Sequence, residues 1–339
     1  MSSNNKPLVL ILCGGRSLRL WPLSQYKSKN FLDVFGFSPL ELTVKRFLKI
    51  TPKENIFLVA NISEKKELEK LKIVRKANII FEPQSKNTAA AVLLSILHLK
   101  NQARKSIIIA PVDHLIEKEK EFYKALNLAL AAAQAGSVCT LGIKPNEPTP
   151  NFGYIQVKSK QKGSYPIRRF IEKPSPSRAK KLIAKGGCFY NSGIFVASLA
   201  TLIDEYKKYY PDYNHFIRLF AKKKIKSLYR GLENKPFDKA IMEKTKKGAL
   251  VKGNFSWKDF GSWLSIYEVF SKDGKGNVSR GKSFMKDSRN NLVFLNDLGK
   301  KILVIGMEDT FLIDTKDFIL LANRAHINSL KKALKQFKH

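Results

Sequence analysis

Gly14 and Gly15 close a short apolar run, and two cations, Arg19 and Lys29, follow soon after. Glycines at the end of a buried strand permit a tight turn and a close backbone approach to phosphate. Two cations beside such a turn would neutralise an oligophosphate. A glycine pair on its own is also an ordinary turn. Asp113 stands just past another apolar run, and Asp113-His114 reads equally as a helix N-cap followed by a surface histidine. Asn87-Thr88 precedes an alanine-rich stretch and reads as a helix N-terminus. Neither a Ser–His–Asp nor a Cys–His arrangement occurs among these segments. Cys13, Cys139 and Cys188 are far apart with no CxxC pair, which gives neither a zinc site nor a redox motif.

The elements that must position these groups alternate. Leu8–Leu12, Asn55–Ala60, Ala77–Phe81, Ser106–Ala110 and Val138–Ile143 are continuous apolar runs, expected as strands covered on both faces. Amphipathic stretches at Leu40–Leu48, Glu64–Leu71, Thr88–Lys100 and Glu119–Ala135 separate them. This alternation predicts an α/β domain of the doubly wound kind, with ligands at the carboxyl ends of strands. From about 145 the rhythm loosens: Gly153–Lys158 and Arg168–Ile171 read as strands, Pro176–Ala184 and Leu199–Tyr209 as helices. After Gly281 short strands recur at Asn291–Asn296, Lys301–Ile305, Thr310–Ile313 and Phe318–Ala322, and a lysine-rich helix is expected over Ile327–Phe337. Two domains are expected, 1–275 and a small C-terminal β module, 276–339.

The chain has 339 residues, 44% hydrophobic and 27% charged, which excludes a disordered or collagen-like polymer. Its net charge is +34, from 62 Lys and Arg against 28 Asp and Glu. That excess attracts polyanions of any kind. The lysines are spread along the whole length without an arginine-rich tail or a nucleic-acid-binding motif, so a solvated lysine surface is the expected reading. The sparse cysteines fit a reducing cytoplasm, and the apolar run from Pro7 to Cys13 is too short to span a bilayer.

The full string Cys13-Gly14-Gly15-Arg16-Ser17-Leu18-Arg19-Leu20-Trp21-Pro22-Leu23-Ser24, with Lys29-Asn30-Phe31-Leu32 after it, is more specific than any of its parts. It resembles the opening signature of sugar-1-phosphate nucleotidyltransferases, in particular mannose-1-phosphate guanylyltransferases. Later segments resemble the family in the same order: Glu82–Ala89, Pro111–Ile116, Gly142–Pro145 with Phe152–Ile155, Phe170–Pro174, Tyr190–Phe195 and Trp257–Trp263. The chain departs from the pattern at Ser17 (for Gly), Ser28 (for Pro), Ala90 (for Pro) and Asn151 (for Gly), and the spacer before Lys29 is one residue short.

The resemblance implies a Rossmann-like nucleotidyltransferase domain with a mixed central sheet, and a C-terminal module coiled in the manner of a left-handed β-helix. It implies transfer of a nucleotidyl group from GTP to mannose 1-phosphate with release of pyrophosphate. Gly14 and Gly15 would approach the nucleotide, with Ser85, Asn87 and Thr88 near its base or ribose. Arg19 and Lys29 would neutralise the triphosphate. Asp113 and Asp259 would hold Mg²⁺. Lys173 would bind the sugar phosphate, with Glu172 and Asn191 on sugar hydroxyls and Gly153 giving room for the ring. Asp238 fits a family acidic position with a weaker role. A homodimer and a single activity, without a fused isomerase domain, are also expected. The alternatives are a guanylyltransferase for another sugar 1-phosphate, such as a manno-heptose, and a catalytically weak sugar-nucleotide-binding regulator, the latter motivated by the altered opening loop.

Overall fold

The computed structural model describes residues 6–15, 17–33, 36, 38–159 and 163–337. In chain order the strands are β1 Leu8–Cys13, β2 Ile56–Asn61, β3 Ile79–Glu82, β4 Ser106–Pro111, β5 His114–Ile116, β6 Val138–Ile143, β7 Tyr154–Val157, β8 Tyr165–Ile171, β9 Cys188–Ser198 and β10 Gly248–Gly253. They are followed by β11 Trp257–Asp259, β12 Val278–Arg280, β13 Lys282–Lys286, β14 Leu292–Leu295, β15 Lys301–Ile305, β16 Thr310–Asp314 and β17 Ile319–Asn323. The helices are α1 Pro39–Leu48, α2 Lys65–Leu71, α3 Asn87–Leu99, α4 Glu119–Gln134, α5 Pro176–Ala184, α6 Leu199–Tyr209, α7 Tyr213–Ala221, α8 Ile225–Gly231, α9 Trp263–Val269 and α10 Leu330–Phe337.

The chain divides into two compact units: residues 1–14, 43–112 and 116–257, and residues 15–42, 113–115 and 258–339. The first carries a nine-stranded sheet in the order β3-β2-β1-β4-β9-β6-β10-β8-β7. Strands β1 to β4 pair in parallel, as their continuous apolar sequences require. The sheet turns mixed at β9, which runs antiparallel to both β4 and β6. Helix α3 is apolar on nearly every side and is buried over most of its length, packed against β1, β3 and α6. Two tyrosine hydroxyls reach into that core: Tyr206 donates to the Ala89 carbonyl at 2.8 Å and Tyr229 to Glu82 at 2.9 Å. Because β1 and β4 are parallel neighbours, the chain leaves the sheet at adjacent points after Cys13 and Pro111. The Val112 N–H donates to the Leu12 carbonyl at that edge.

In the second unit β12, β14 and β16 stack in parallel, and β13 pairs in parallel with β15. Register places Val278, Leu292 and Phe311 in one column, and Phe294 beside Ile313. All five are buried. Each coil turns on a polar residue just before its column. Asn291 Nδ2 donates to Asn277 Oδ1 at 3.0 Å and to the Met307 carbonyl at 2.8 Å, and Asn291 Oδ1 accepts from the Thr310 N–H at 2.9 Å. The all-β reading of this region therefore corresponds to stacked parallel coils, closed by the antiparallel strand β17.

The division into units differs from a boundary at 275. Leu20, Trp21, Leu23 and Leu32 are buried in one cluster with Phe260, Trp263, Phe294 and Phe311. The opening loop thus packs as part of the β module's core, because it has too few apolar residues to make a core of its own. Asn291→Ala leaves the Met307 carbonyl and the Thr310 N–H without this partner. It should lower stability by about 3 kcal/mol, read as an earlier midpoint in urea unfolding; an unchanged midpoint would show that the asparagine column carries no stability.

Candidate functional site

Residues 17–33 have no long element. They run through single turns at Leu18–Leu20, Leu23–Gln25 and Lys29–Phe31. The loop is fixed from outside: Trp263 is fully buried and its Nε1–H donates to the Trp21 carbonyl at 2.8 Å. Ser17, where the family pattern has glycine, adopts an extended backbone that any residue can take, and its hydroxyl donates to the Gly261 carbonyl at 2.7 Å. That departure is therefore a tie between two signature segments. Gly15 does need its residue type, for its φ is +90°.

With the loop held, its cations face carboxylates. Lys29 Nζ lies 2.5 Å from Asp113 Oδ2, with side chains 17% and 12% exposed. The short spacer and Ser28 do not prevent this reach. Burial alone would raise the Asp113 carboxyl, but the Lys29 ammonium, His114 and hydrogen bonds outweigh it and hold the group at about 2. The Phe260 N–H donates to the Asp113 carbonyl at 2.7 Å, which ties Asp113 to the segment carrying Asp259. A Cβ on Gly261 would stand 2.9 Å from Arg19 Nη2 and 3.5 Å from both carboxylate oxygens of Asp259. Glycine there leaves room for both the guanidinium and the carboxylate around one backbone position. Arg19, Lys29, Asp113 and Asp259 thus share one unit and two sets of contacts.

A second group of charges lies in the first unit. Lys173 Nζ is 3.2 Å from Glu172 Oε1, and Lys173 turns the chain with φ +46°. A Cβ on Gly153 would stand 2.7 Å from Glu172 Oε2. The missing side chain therefore makes room for that carboxylate. The Glu172 N–H donates to Glu243 Oε1 at 3.0 Å. Asn191 is anchored by its own N–H on the Gly153 carbonyl at 2.8 Å, and its Nδ2 donates to Asp238 Oδ1 at 2.7 Å. Burial and then the Glu172 charge push Asp238 up to about 7. Sequence reasoning leaves Glu243 and Thr140 out and gives Asp238 little weight. Glu243 and Thr140 belong to no motif quoted from the sequence, and Asp238 only to a family acidic position without a fuller pattern around it.

Of the remaining expected residues, Asn87 opens α3 with φ +68°, and its Oδ1 accepts from the Thr88 N–H at 2.9 Å. Thr88 Oγ1 accepts from the Phe237 N–H at 2.8 Å, and Ser85 Oγ from Asn61 Nδ2 at 3.4 Å. The helix-N-terminus reading of Asn87-Thr88 holds. Gly14, in the first unit, is exposed and would meet nothing with a Cβ. His215 and His326 are exposed.

The protein is of the mixed α/β class, with a Lys29–Asp113 ion pair on the segments that also carry Arg19 and Asp259. The chain belongs to the nucleotidyl transferase family, whose model matches residues 8–276. It is 33% identical to the Pseudomonas aeruginosa alginate biosynthesis protein AlgA, over 96% of this chain and 71% of that protein. It is 32% identical to an Escherichia coli mannose-1-phosphate guanylyltransferase, over 98% and 74% respectively. A solved Thermus thermophilus structure named mannose-1-phosphate geranyltransferase superposes with a TM-score of 0.89 at 28% identity, over 98% of this chain and 100% of that one.

The Asp113 carboxyl falls from 3.8 in the unfolded chain to about 2. A lowered carboxylate stabilises above its unfolded value and loses that contribution as pH falls through its folded value. Acid should therefore remove about 2 kcal/mol between roughly pH 4 and pH 2. Melting curves across that window should show a shallower acid loss for Asp113→Asn; identical slopes would refute the pair's contribution.

Proposed function

We propose that the protein transfers the guanylyl group of GTP to mannose 1-phosphate, giving GDP-mannose and pyrophosphate. The observation that carries this is the pairing of Lys29 with Asp113 beside Arg19 and Asp259, all on signature segments. It is supported by guanylyltransferase relatives matched over nearly the whole chain. A phosphate oxygen of the sugar phosphate attacks the α-phosphorus of GTP, and the bond to the pyrophosphate oxygen breaks. The second pKa of a phosphate monoester is about 6, so the nucleophile is already largely dianionic and needs no general base. The chain's task is to align two polyanions and to receive the charge that builds on the leaving oxygen.

In this reading Arg19 and Lys29 hold the triphosphate and the leaving pyrophosphate, and Lys29 exchanges Asp113 for phosphate when the nucleotide enters. Gly14 and Gly15 offer backbone amides. Ser85, Asn87 and Thr88 border the nucleoside, and Thr88 keeps its place through Phe237. Lys173 meets the sugar phosphate, and Glu172 and Asn191 the sugar, with Gly153 admitting the Glu172 carboxylate.

Among the described residues no group of three or more His, Cys, Asp or Glu could hold a metal ion. Mg²⁺ usually takes only one or two carboxylates and fills its shell with phosphate oxygens and water. Asp113, kept ionised, and Asp259 fit that demand. When bound, the ion would neutralise phosphate charge and help orient the α-phosphate.

A homodimer and a cytoplasmic setting belong to the same proposal. Phe284, Leu303 and Ile305 are 65%, 61% and 58% exposed on the paired strands β13 and β15. Contiguous apolar surface of this kind usually marks an interface. A second copy is the occupant that a two-fold contact between identical patches would supply. Among the described residues no helix is long and apolar enough to cross a membrane.

Pyrophosphate release should occur with mannose 1-phosphate, Mg²⁺ and GTP, and fall at least about 100-fold with ATP, UTP or dTTP. Equal release with another nucleotide would overturn the base assignment. Asp113→Asn should abolish metal-dependent turnover and keep the fold; near-normal turnover would sink the metal assignment. In size-exclusion chromatography the protein should elute as a dimer and the Phe284→Glu/Leu303→Glu double variant as a folded monomer; a monomeric wild type would refute the interface.

A further inference from the structure

We propose that Asp238 is the group that reads a sugar hydroxyl, and that Asn191 is the support that aims it. The inference rests on the sugar 1-phosphate reading above and names a residue that reading leaves out.

The hydrogen-bond capacity of Asn191 is nearly spent inside the protein. Its Oδ1 accepts from Thr140 Oγ1 at 2.8 Å and from the Gly193 N–H at 3.1 Å. A carbonyl oxygen has two lone pairs; the Gly193 N–H takes one, and the single Thr140 proton is shared between the other and the Ile194 carbonyl at 3.1 Å. One Nδ2 hydrogen goes to Asp238 Oδ1 at 2.7 Å. A single N–H is left for any ligand. Two donors on the oxygen also fix which end of the amide faces Asp238. Asn191 is thereby an oriented donor to a carboxylate, with one remaining N–H for the sugar.

Asp238 is placed with equal care. It opens a π-helical turn, Asp238–Met242. The residue before it, Phe237, is buried, packs its ring 4.9 Å from that of Phe195, and donates its N–H to Thr88 Oγ1. The Asp238 carboxylate therefore stands on a rigid base. It is an acceptor with room for several hydrogen bonds, of which Asn191 and its own backbone N–H supply two. The charged groups around it are Glu172 and Lys173, with Glu243 on the Glu172 backbone. Three carboxyl groups with one ammonium make a surface rich in acceptor oxygens. A sugar brings hydroxyl donors to such a surface. A second phosphate would be repelled by it.

The test is a crossed series. Wild type and Asp238→Asn are assayed for pyrophosphate release with GTP and mannose 1-phosphate, then with its 2-, 3-, 4- and 6-deoxy analogues. The amide keeps an oxygen for Asn191, and thermal melting checks the fold. The variant should lose about 10- to 100-fold in kcat/KM for mannose 1-phosphate, with its KM for GTP within about twofold of wild type. With one deoxy analogue the two proteins should become equal, because the hydroxyl that Asp238 reads is absent. An unchanged variant, an equal loss with every analogue, or a matching rise in the KM for GTP would each overturn the proposal. If Asp238→Asn does not fold, Asp238→Glu, which keeps the acceptors but displaces them, must give the same selective loss. Wild-type turnover is measured first. If it requires another sugar 1-phosphate, the mannose reading fails there, and that compound with its deoxy analogues decides the role of Asp238 by the same outcomes.

Discussion

The hydrogen bond from the Trp263 indole to the Trp21 carbonyl, inside the apolar cluster around it, is the contact on which the opening loop depends. Residues 17–33 contain only single turns, and single turns do not stand alone in water. Burial of Leu20, Trp21, Leu23 and Leu32 against the β module supplies what the loop lacks. Ser17 adds a second tie at Gly261. The two cations then project from a segment whose position is set by its apolar residues.

Charge is organised differently in the two groups. Asp113 has the Lys29 ammonium beside it, and its carboxyl stays ionised well into acid. Around Asp238 carboxylates outnumber cations, and burial with the neighbouring Glu172 lifts the group toward neutrality. The first arrangement suits phosphate and a cation. The second suits hydroxyl donors. Lysine in excess elsewhere on the surface contributes attraction at a distance without selecting a ligand.

Much of this was legible in the sequence. Continuous apolar runs located β1 to β4 and β6, and the amphipathic stretches located α1 to α6 to within a residue or two. Strand β9 was not legible as a strand, because Tyr190-Asn191-Ser192-Gly193 interrupts its apolar pattern with the residues that anchor the second charged group. The helices α7 and α8 and strand β10 fall in lysine-rich sequence where periodicity is blurred. The pairing of Lys29 with Asp113 was invisible for another reason. Each residue could be recognised from its own segment, but only the fold brings positions 29 and 113 together. The Ser17 tie has the same origin: what reads as a missing glycine in the linear pattern is a bond to position 261.

The split of the second unit into three stretches of chain bears on how such proteins can be recombined. A module at the end of a chain looks like a cassette that could be exchanged between relatives at a single junction. Here its core is completed by residues encoded hundreds of positions earlier, at Leu20, Trp21 and Leu23. A graft that swaps only the C-terminal coils pairs a native loop with foreign aromatic partners. The opening loop and the coils are one inherited piece, although the gene writes them far apart.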